Sequence, residues 1–365
     1  MKTKYPVPRL AVVVAAVCSL ICPAPAACGA DEPQAGGAWK MQAVWKGHAE
    51  EVLRVAFSPD GTTVASLGAD GVVKLWDVSG TKEGATLRVP GTAIVGLGYG
   101  PDGKTLVTVT ANGLIKVWDA TTAREKSTVR LAGMRDVVNV GAFASDGKFL
   151  ATTTGNLGGG ASGEVQLWNV ANGKKRGALT GHEMFTYFLT FSPDGKTLAS
   201  AGERYLGAES PTGSPTQMEV KLWSLSDGKT LRTMPLGAAA AFSPDAKLLA
   251  TTCTEGKAIK PIGFTKLWDL DKGKEKAALK GHQSYLTALA FSSDGKWLAT
   301  ASADKTVKLW DVAAGKEWAT LKGHTGTVNG AAFSSDSCML VTAGADRTVR
   351  LWVVAKPSGD TIHKK

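Results

Sequence analysis

Histidine is rare in this chain, and its scarcity bears on catalysis. Only five of the 365 residues are histidine. Four of them follow a glycine at recurring places, and the fifth, His363, lies near the C-terminus. Catalytic triads and related arrangements need a histidine that is free to transfer a proton. Because the recurring histidines are better explained by architecture, the sequence predicts that the protein is not an enzyme.

Cysteine is also scarce, and its placement argues against bridges and bound metal. Of five cysteines, only Cys253 and Cys338 lie in the body of the chain, in segments that we do not expect to be neighbours. Neither shows the Cys/His spacing of a zinc site. The glycine-rich stretch 155–160 lacks the Lys-Ser/Thr pair and the following helix of a phosphate-binding loop. We therefore expect two free thiols, no metal and no cofactor.

Long apolar runs are confined to the N-terminus. Leu10–Ile21 is almost wholly apolar, follows Lys2, Lys4 and Arg9, and precedes small residues at 24–26. This pattern is typical of a cleaved export signal, and the run is too short to span a bilayer. We expect a periplasmic or extracellular protein. The alternatives are an uncleaved anchor and lipidation of Cys28, and only the latter would make the mature protein a lipoprotein on a membrane.

The basic charge is spread along the chain instead of being concentrated. The formal net charge is +10, and much of it recurs as Gly-Lys pairs after each of several tryptophans. Lysine at the start of an edge strand discourages sheet-to-sheet aggregation. A nucleic-acid surface would gather the charge on one face with aromatic residues between the basic ones. We expect no nucleic-acid partner.

Tryptophan and a second aromatic series reveal a repeat. Seven tryptophans lie 42 to 55 residues apart, and seven aromatic residues before a turn keep step with them. The clearest unit, 281–322, alternates as four short strands separated by turns at 293–295 and 303–305. No helix is indicated after residue 26. The tryptophans are Trp76, Trp118, Trp168, Trp223, Trp268, Trp310 and Trp352, and the second series is Phe57, Tyr99, Phe143, Phe191, Phe242, Phe291 and Phe333.

With its Gly-His start, turn aspartate and closing Trp-Asp, the unit resembles the WD-repeat β-propeller family, here of an exported bacterial type. The resemblance implies an all-β, seven-bladed β-propeller with four-stranded antiparallel blades. A strand at 39–45 would complete the last blade, as is common in the family, and we expect a monomer. The predicted division of the chain is an export signal at 1–26, a linker at 27–37, the propeller at 38–355 and a polar tail at 356–365.

The resemblance also implies a hydrogen-bonded set in each regular blade, made of His, Ser or Thr, Asp and Trp. Such a set holds the blade together and is structural. Blades one, six and seven carry all four members: His48, Ser66, Asp70 and Trp76; His282, Thr300, Asp304 and Trp310; and His324, Thr342, Asp346 and Trp352. His182 lacks a turn aspartate, so it could be unpaired, or a residue such as Glu203 could replace the aspartate.

The repeat is irregular in three consecutive blades. From the second-strand Ser or Thr to the Trp there are 10 residues in blades one, two, six and seven, but 16, 23 and 17 in blades three, four and five. Blade five has also lost its Gly-His corner, since only 19 residues separate Trp223 from Phe242. Insertions on one face of a repeat array are typical of a binding face.

We expect a groove where the shortened corner lies between the enlarged loops. Its predicted lining is Phe185, Tyr187, Glu203, Arg204, Tyr205, Glu209, Lys257, Lys260 and Phe264. The hypothesis is a non-catalytic scaffold that binds another protein or a peptide here. Three alternatives stay open. The insertions have no role, or Tyr205 and Phe264 pack internally. The third is a small-molecule or glycan binder, or an enzyme, that uses the groove or the central channel.

Overall fold

The computed structural model describes residues 39–80, 83–134, 137–155, 163–206, 216–235, 237–255 and 262–354. Within these ranges all regular secondary structure is β, arranged as seven four-stranded antiparallel sheets. The predicted seven-bladed propeller is therefore confirmed. The segment with the predicted export signal and Cys28 lies outside the described residues. In the described part, no helix has the length and hydrophobicity needed to cross a membrane.

The strands follow one another blade by blade, from the innermost strand of each blade to its outermost, and β1 (Trp39–Lys46) precedes them all. Blade one contains β2 (Val52–Phe57), β3 (Thr63–Gly68), β4 (Val72–Asp77) and β5 (Glu83–Arg88); blade two contains β6 (Ile94–Tyr99), β7 (Thr105–Thr110), β8 (Leu114–Asp119) and β9 (Glu125–Arg130); blade three contains β10 (Val137–Phe143), β11 (Phe149–Gly155), β12 (Gly163–Asn169) and β13 (Lys175–His182). Blade four contains β14 (Thr186–Phe191), β15 (Thr197–Tyr205), β16 (Thr216–Ser224) and β17 (Thr230–Pro235); blade five contains β18 (Ala240–Phe242), β19 (Leu248–Glu255), β20 (Ile262–Asp269) and β21 (Lys274–Lys280); blade six contains β22 (Leu286–Phe291), β23 (Trp297–Ser302), β24 (Thr306–Asp311) and β25 (Lys316–Lys322); blade seven contains β26 (Val328–Phe333), β27 (Met339–Gly344) and β28 (Thr348–Val354).

The first strand of the chain closes the ring. β1 pairs antiparallel with β28, from Trp39 opposite Val354 to Lys46 opposite Thr348, and so becomes the outermost strand of blade seven. Trp45 of β1 is 2% exposed and stacks on Trp76 of blade one, with ring centroids 5.6 Å apart. The predicted closure is confirmed, and it removes an open sheet edge.

The turn between the first two strands is built in the same way in most blades. In blade six the Ser292 hydroxyl donates to the Asp294 carboxylate at 2.5 Å, and that carboxylate accepts the backbone N–H of Lys296 at 3.0 Å. Gly295 takes a φ of +72°, which a side chain disfavours. The turn residues thus satisfy their own polar groups and set the hairpin locally.

Each blade buries its two faces against different neighbours. The side of blade four that carries Trp223 packs with Val165 and Leu179 of blade three. The other side, which carries Ala201 and Val220, packs with Ala239 and Ala240 of blade five. Side chains alternate between the two faces along a strand. Within one strand of blade four, residues an even number of positions apart therefore face the same neighbouring blade, and we say that they have the same parity.

The insertions lengthen strands as well as loops. β15 and β16 have nine residues each, and they stay paired out to Tyr205 opposite Thr216. β19 and β20 have eight residues, whereas the same strands of blades one, two and six have six. β18 keeps only three residues, Ala240–Phe242. The irregular blades therefore carry extended hairpins beside a shortened innermost strand.

Candidate functional site

The three predicted hydrogen-bonded sets are present. In blade six the Trp310 indole donates to Thr300 Oγ1 at 2.9 Å, and Thr300 Oγ1 lies 2.8 Å from His282 Nε2. The ionised Asp304 carboxylate can only accept, so His282 Nδ1 donates to it at 2.7 Å, and the Thr300 hydroxyl, which accepts from the indole, can donate to Nε2. Blades one and seven show the same contacts for the remaining predicted members, namely His48, Ser66, Asp70 and Trp76, and His324, Thr342, Asp346 and Trp352.

The carboxylates of these sets are strongly held in the ionised form. Burial alone would raise the pKa of Asp304, but bonds from His282, from Thr306 and from the Gln283 backbone outweigh it and hold the pKa far below its ordinary value. Asp346 behaves alike, with burial again opposed by His324 and Thr348. Burial, in contrast, is the main reason for the lowered pKa of His48. A neutral histidine against an ionised aspartate is a structural pairing.

Blade four contains a fourth set that the sequence pattern did not reveal. His182 Nε2 lies 2.6 Å from Ser200 Oγ, which accepts the Trp223 indole at 2.7 Å. His182 Nδ1 lies 3.2 Å from Glu219 Oε1. The acid that replaces the turn aspartate is therefore Glu219, and the suggestion of Glu203 is wrong. His182 is buried, and its Nδ1 meets Glu219 as an ion-pair contact without hydrogen-bond geometry.

Counting back from the tryptophan could have found Glu219. It stands four residues before Trp223, as Thr306 stands before Trp310, and the Thr306 hydroxyl lies 3.5 Å from His282 Nδ1. The same position thus points at the histidine ring in both blades. Burial would raise the pKa of Glu219, but its contacts with His182 and Lys221 lower the pKa overall.

The extended hairpin of blade four divides its side chains between two faces. Glu203 and Tyr205 have the parity of Ala201, so they continue the face that packs toward blade five. Arg204 has the opposite parity and points to the blade-three side. Arg204 was predicted to line the groove beside Tyr205, but alternation along β15 puts the two side chains on opposite faces of the hairpin.

Aromatic and acidic residues meet at the base of this hairpin. The Glu203 N–H donates to the Phe185 carbonyl at 3.1 Å, and the rings of Phe185 and Tyr187 lie 6.2 Å apart. Burial, together with Glu203, raises the pKa of Tyr187, and burial also raises the pKa of Glu203 despite its hydrogen bond from Tyr187. The structure therefore brings three predicted site residues into one cluster.

Tyr205 stands above this cluster and is the most exposed of these aromatic residues. Its side chain is 56% exposed, and Phe185 is 36% exposed. The Tyr205 backbone N–H donates to Glu183 Oε2 at 3.1 Å, which ties the hairpin to the loop before β14. The hairpin is thus anchored while its tyrosine ring faces solvent.

Blade five contributes a residue that was not predicted. Ile262 is 42% exposed and lies opposite Glu255, with the parity of Trp268, so it is on the blade-four side. Phe264 is only 7% exposed and lies 5.0 Å below Lys280 Nζ, which also contacts Glu255. Phe264 therefore supports the hairpin from beneath and presents little surface.

Three of the predicted groove residues cannot be placed in the structure. Glu209, Lys257 and Lys260 lie outside the described residues. Cys253 is buried and Cys338 is half-buried, and burial raises the pKa of the Cys253 thiol to about 11. Across the ranges that the structure describes, no three His, Cys, Asp or Glu side chains gather as metal ligands would.

The family model for the WD domain, G-beta repeat, matches residues 39–77, 82–119, 173–206, 273–311 and 315–353. These segments together make up more than half of the chain. Each one begins with the outermost strand of one blade and continues into the next blade. The unmatched stretches contain most of blades three and five and the two outer strands of blade four, where the repeat is irregular.

Curated relatives show the same similarity over part of their length. The chain is 29% identical over 153 residues to the small ribosomal subunit protein RACK1y of Oryza sativa subsp. japonica, which covers 39% of each chain. It is 30% identical over 155 residues to the small ribosomal subunit protein RACK1 of Drosophila melanogaster, covering 39% of this chain and 42% of the relative. It is 30% identical over 183 residues to the nuclear distribution protein PAC1-2 of Uncinocarpus reesii, covering 46% and 39%.

The chain thus spans about two fifths of the length of the relatives that it matches. The family match and the seven-bladed fold agree on the family of the chain. The protein belongs to the WD domain, G-beta repeat family.

Proposed function

We propose that this protein is an exported, non-catalytic WD-repeat scaffold that binds another protein or a peptide through its irregular blades. The proposed surface lies between the extended hairpins of blades four and five. On the described residues it comprises Phe185, Tyr187, Glu203, Tyr205, Ile262 and Glu255. Arg204 is on the other side of its hairpin, and Phe264 is a support beneath the surface.

One observation carries this proposal. Phe185, Tyr205 and Ile262 are all large, exposed apolar or aromatic side chains, and they flank the shortened innermost strand of blade five. Large aromatic side chains that are fixed by their backbone make effective interface anchors. The rim carries Glu203 and Glu255, so polar groups surround the apolar anchors as in typical interfaces.

Two further considerations support a binding role. The relatives named as small ribosomal subunit proteins are components of a larger assembly by that name, and we extend only the idea of assembly to this chain. Every histidine in the described residues contacts the Ser or Thr hydroxyl of a hydrogen-bonded set, which gives each of them a structural role in place of acid–base catalysis.

The test is affinity capture from an envelope extract with matched variants. The double variant Phe185→Ser, Tyr205→Ser should lose a partner that the natural chain retains, because the apolar anchors are removed. Leu231→Ser is the control, since Leu231 is 59% exposed on β17, the outermost strand of the same blade. Equal loss with Leu231→Ser, or no loss with the double variant, would contradict the proposed surface.

Capture of nothing by the natural chain would instead favour the small-molecule or glycan alternative, to be followed by a ligand screen. Export is tested separately from binding. The mass of the protein recovered from the envelope should correspond to cleavage near residue 26. An intact N-terminus would contradict cleavage, and a diacylglyceryl mass at Cys28 would show a lipoprotein.

A further inference from the structure

The central channel carries a buried positive charge for which the described residues provide no partner acid. Each of the seven innermost strands (β2, β6, β10, β14, β18, β22 and β26) pairs with only one neighbour, so its other edge faces the ring axis. Arg54 on β2 is the only charged residue in these strands, which contain no aspartate or glutamate.

The Arg54 side chain crosses blade two to reach blade three. It is 4% exposed, and its Nη1 donates to the Gly141 carbonyl of β10 at 3.3 Å. Gly96 of the intervening β6 lies directly against that carbonyl, because a Cβ at Gly96 would be 2.7 Å from the oxygen. Gly96 therefore packs against the same carbonyl group that Arg54 reaches.

Other residues of the innermost strands make similar but neutral contacts. The Thr287 hydroxyl donates to the Val328 carbonyl of the next blade, and Asn329 Nδ2 donates to the Val52 carbonyl at 3.0 Å. These uncharged donors satisfy the free strand edges between neighbouring blades. A guanidinium is not needed for that purpose, and its charge remains to be explained.

The charge of Arg54 is not balanced by the residues that the structure describes. None of their carboxylates lies within 4.0 Å of its guanidinium as an ion pair, although such pairs are frequent elsewhere in the blades. Burial lowers the pKa of Arg54 to about 9, so the group is still charged at neutral pH. An isolated buried charge is costly unless an opposite charge or several hydrogen bonds compensate it.

We propose that Arg54 forms an oxyanion-binding site on the wall of the central channel, which takes a carboxylate or a phosphate group. Nη1 is engaged by Gly141, so the Nε and Nη2 side of the fork is the side that would receive the anion. A guanidinium binds a carboxylate or phosphate through two parallel N–H donors.

This site is independent of the proposed partner surface on blades four and five. The test is isothermal titration calorimetry of the purified protein at pH 7 and constant ionic strength, with sodium acetate in one arm and inorganic phosphate in the other. We expect saturable binding of at least one anion at one site per chain. Binding of acetate alone or phosphate alone identifies which group the site prefers.

Arg54→Met keeps the length of the side chain and removes the charge, and it should weaken binding at least tenfold. Lys229→Met is the matched control, because it removes the same charge from a side chain that is 80% exposed on blade four. It should bind as the natural chain does. No saturable binding of either anion, or equal binding by Arg54→Met, would overturn the proposal.

Should Arg54→Met fail to fold, the natural protein still provides a test. The arginine Nε–Hε resonances are followed by NMR during the same titrations, with Arg54→Lys used to assign the signal. A shift of the Arg54 signal that saturates at the calorimetric concentration supports the site. An unchanged Arg54 signal while other signals move would place the anion elsewhere and refute it.

Discussion

Replacing Glu219 by glutamine should destabilise blade four, and the effect should depend on pH. Glu219 has a side chain that is 6% exposed, and its carboxylate lies 3.2 Å from His182 Nδ1 and 3.1 Å from Lys221 Nζ. Both are ion-pair contacts, and His182 Nδ1 makes no hydrogen bond of normal geometry within the described residues. Glutamine keeps the shape but removes the buried charge, so we expect a loss of about 0.5–3 kcal/mol in the free energy of unfolding at pH 7.

The pH dependence follows from the direction of the pKa shift. The pKa of Glu219 is lowered in the folded protein from an ordinary value of 4.5, so folding favours its ionised form. This contribution is fully present above pH 4.5 and is lost as the pH falls through the folded pKa. The stability difference between the natural chain and Glu219→Gln should therefore be constant near neutrality and shrink below pH 4.5.

Glu203→Gln is the control of opposite sign. The pKa of Glu203 is raised by burial, so folding favours its protonated form. The natural chain should gain stability relative to Glu203→Gln as the pH falls, and lose it as the pH rises through the folded pKa. Urea unfolding of the three proteins between pH 3.5 and pH 7 measures both trends.

The reasoning about Glu219 would be refuted if Glu219→Gln matched the natural chain at pH 7. It would also be refuted if the destabilisation stayed the same down to pH 3.5, since a lost ionic contact must follow the ionisation of the carboxylate. A parallel response of the Glu219 and Glu203 variants would show that the two carboxylates do not differ in environment.

Three more outcomes are expected from variants of single residues. Asp304→Ala should lower the free energy of unfolding by about 2–4 kcal/mol, because His282 loses its buried acid, while partner affinity stays unchanged; urea unfolding without destabilisation would contradict the blade-stitching role. Trp45→Ala should lower the free energy of unfolding by about 3–5 kcal/mol, since a buried ring is removed from the contact between β1 and blade one. The backbone amides of β1 should then exchange hydrogen faster, and unaltered exchange would contradict this role of Trp45. Tyr205→Ser should weaken partner binding with stability changed by no more than about 0.5 kcal/mol; a collapse of thermal stability would instead show that the ring packs internally.

The candidate surface was predictable in position but less so in detail. Counting residues between Ser or Thr and Trp located the insertions and the shortened corner of blade five, because repeat length is a property of the chain itself. The count did not reveal that the insertions continue the strands, with Tyr205 still paired opposite Thr216. It therefore could not separate Arg204 from Tyr205 or identify Ile262 as an exposed neighbour.

The sequence by itself determined the number of blades, their strand order and the closure by β1. These features depend on local hairpins and on residues that recur at constant spacing, so the residues of each repeat specify the structure of that repeat. The three regular hydrogen-bonded sets were determined in the same way, since their members lie at the same distances from each tryptophan.

Only the tertiary structure decided which partner His182 meets and where Arg54 reaches. Glu219 takes the place of the turn aspartate beside His182, and Arg54 reaches the Gly141 carbonyl, against which Gly96 also packs. Glu219 stands at the recurring position four residues before the tryptophan, but that position holds threonine in blade six, and the separation of Arg54 from Gly141 follows no repeat. Their geometry depends on how insertions and small residues shape neighbouring strands, and that becomes fixed only when the ring has closed.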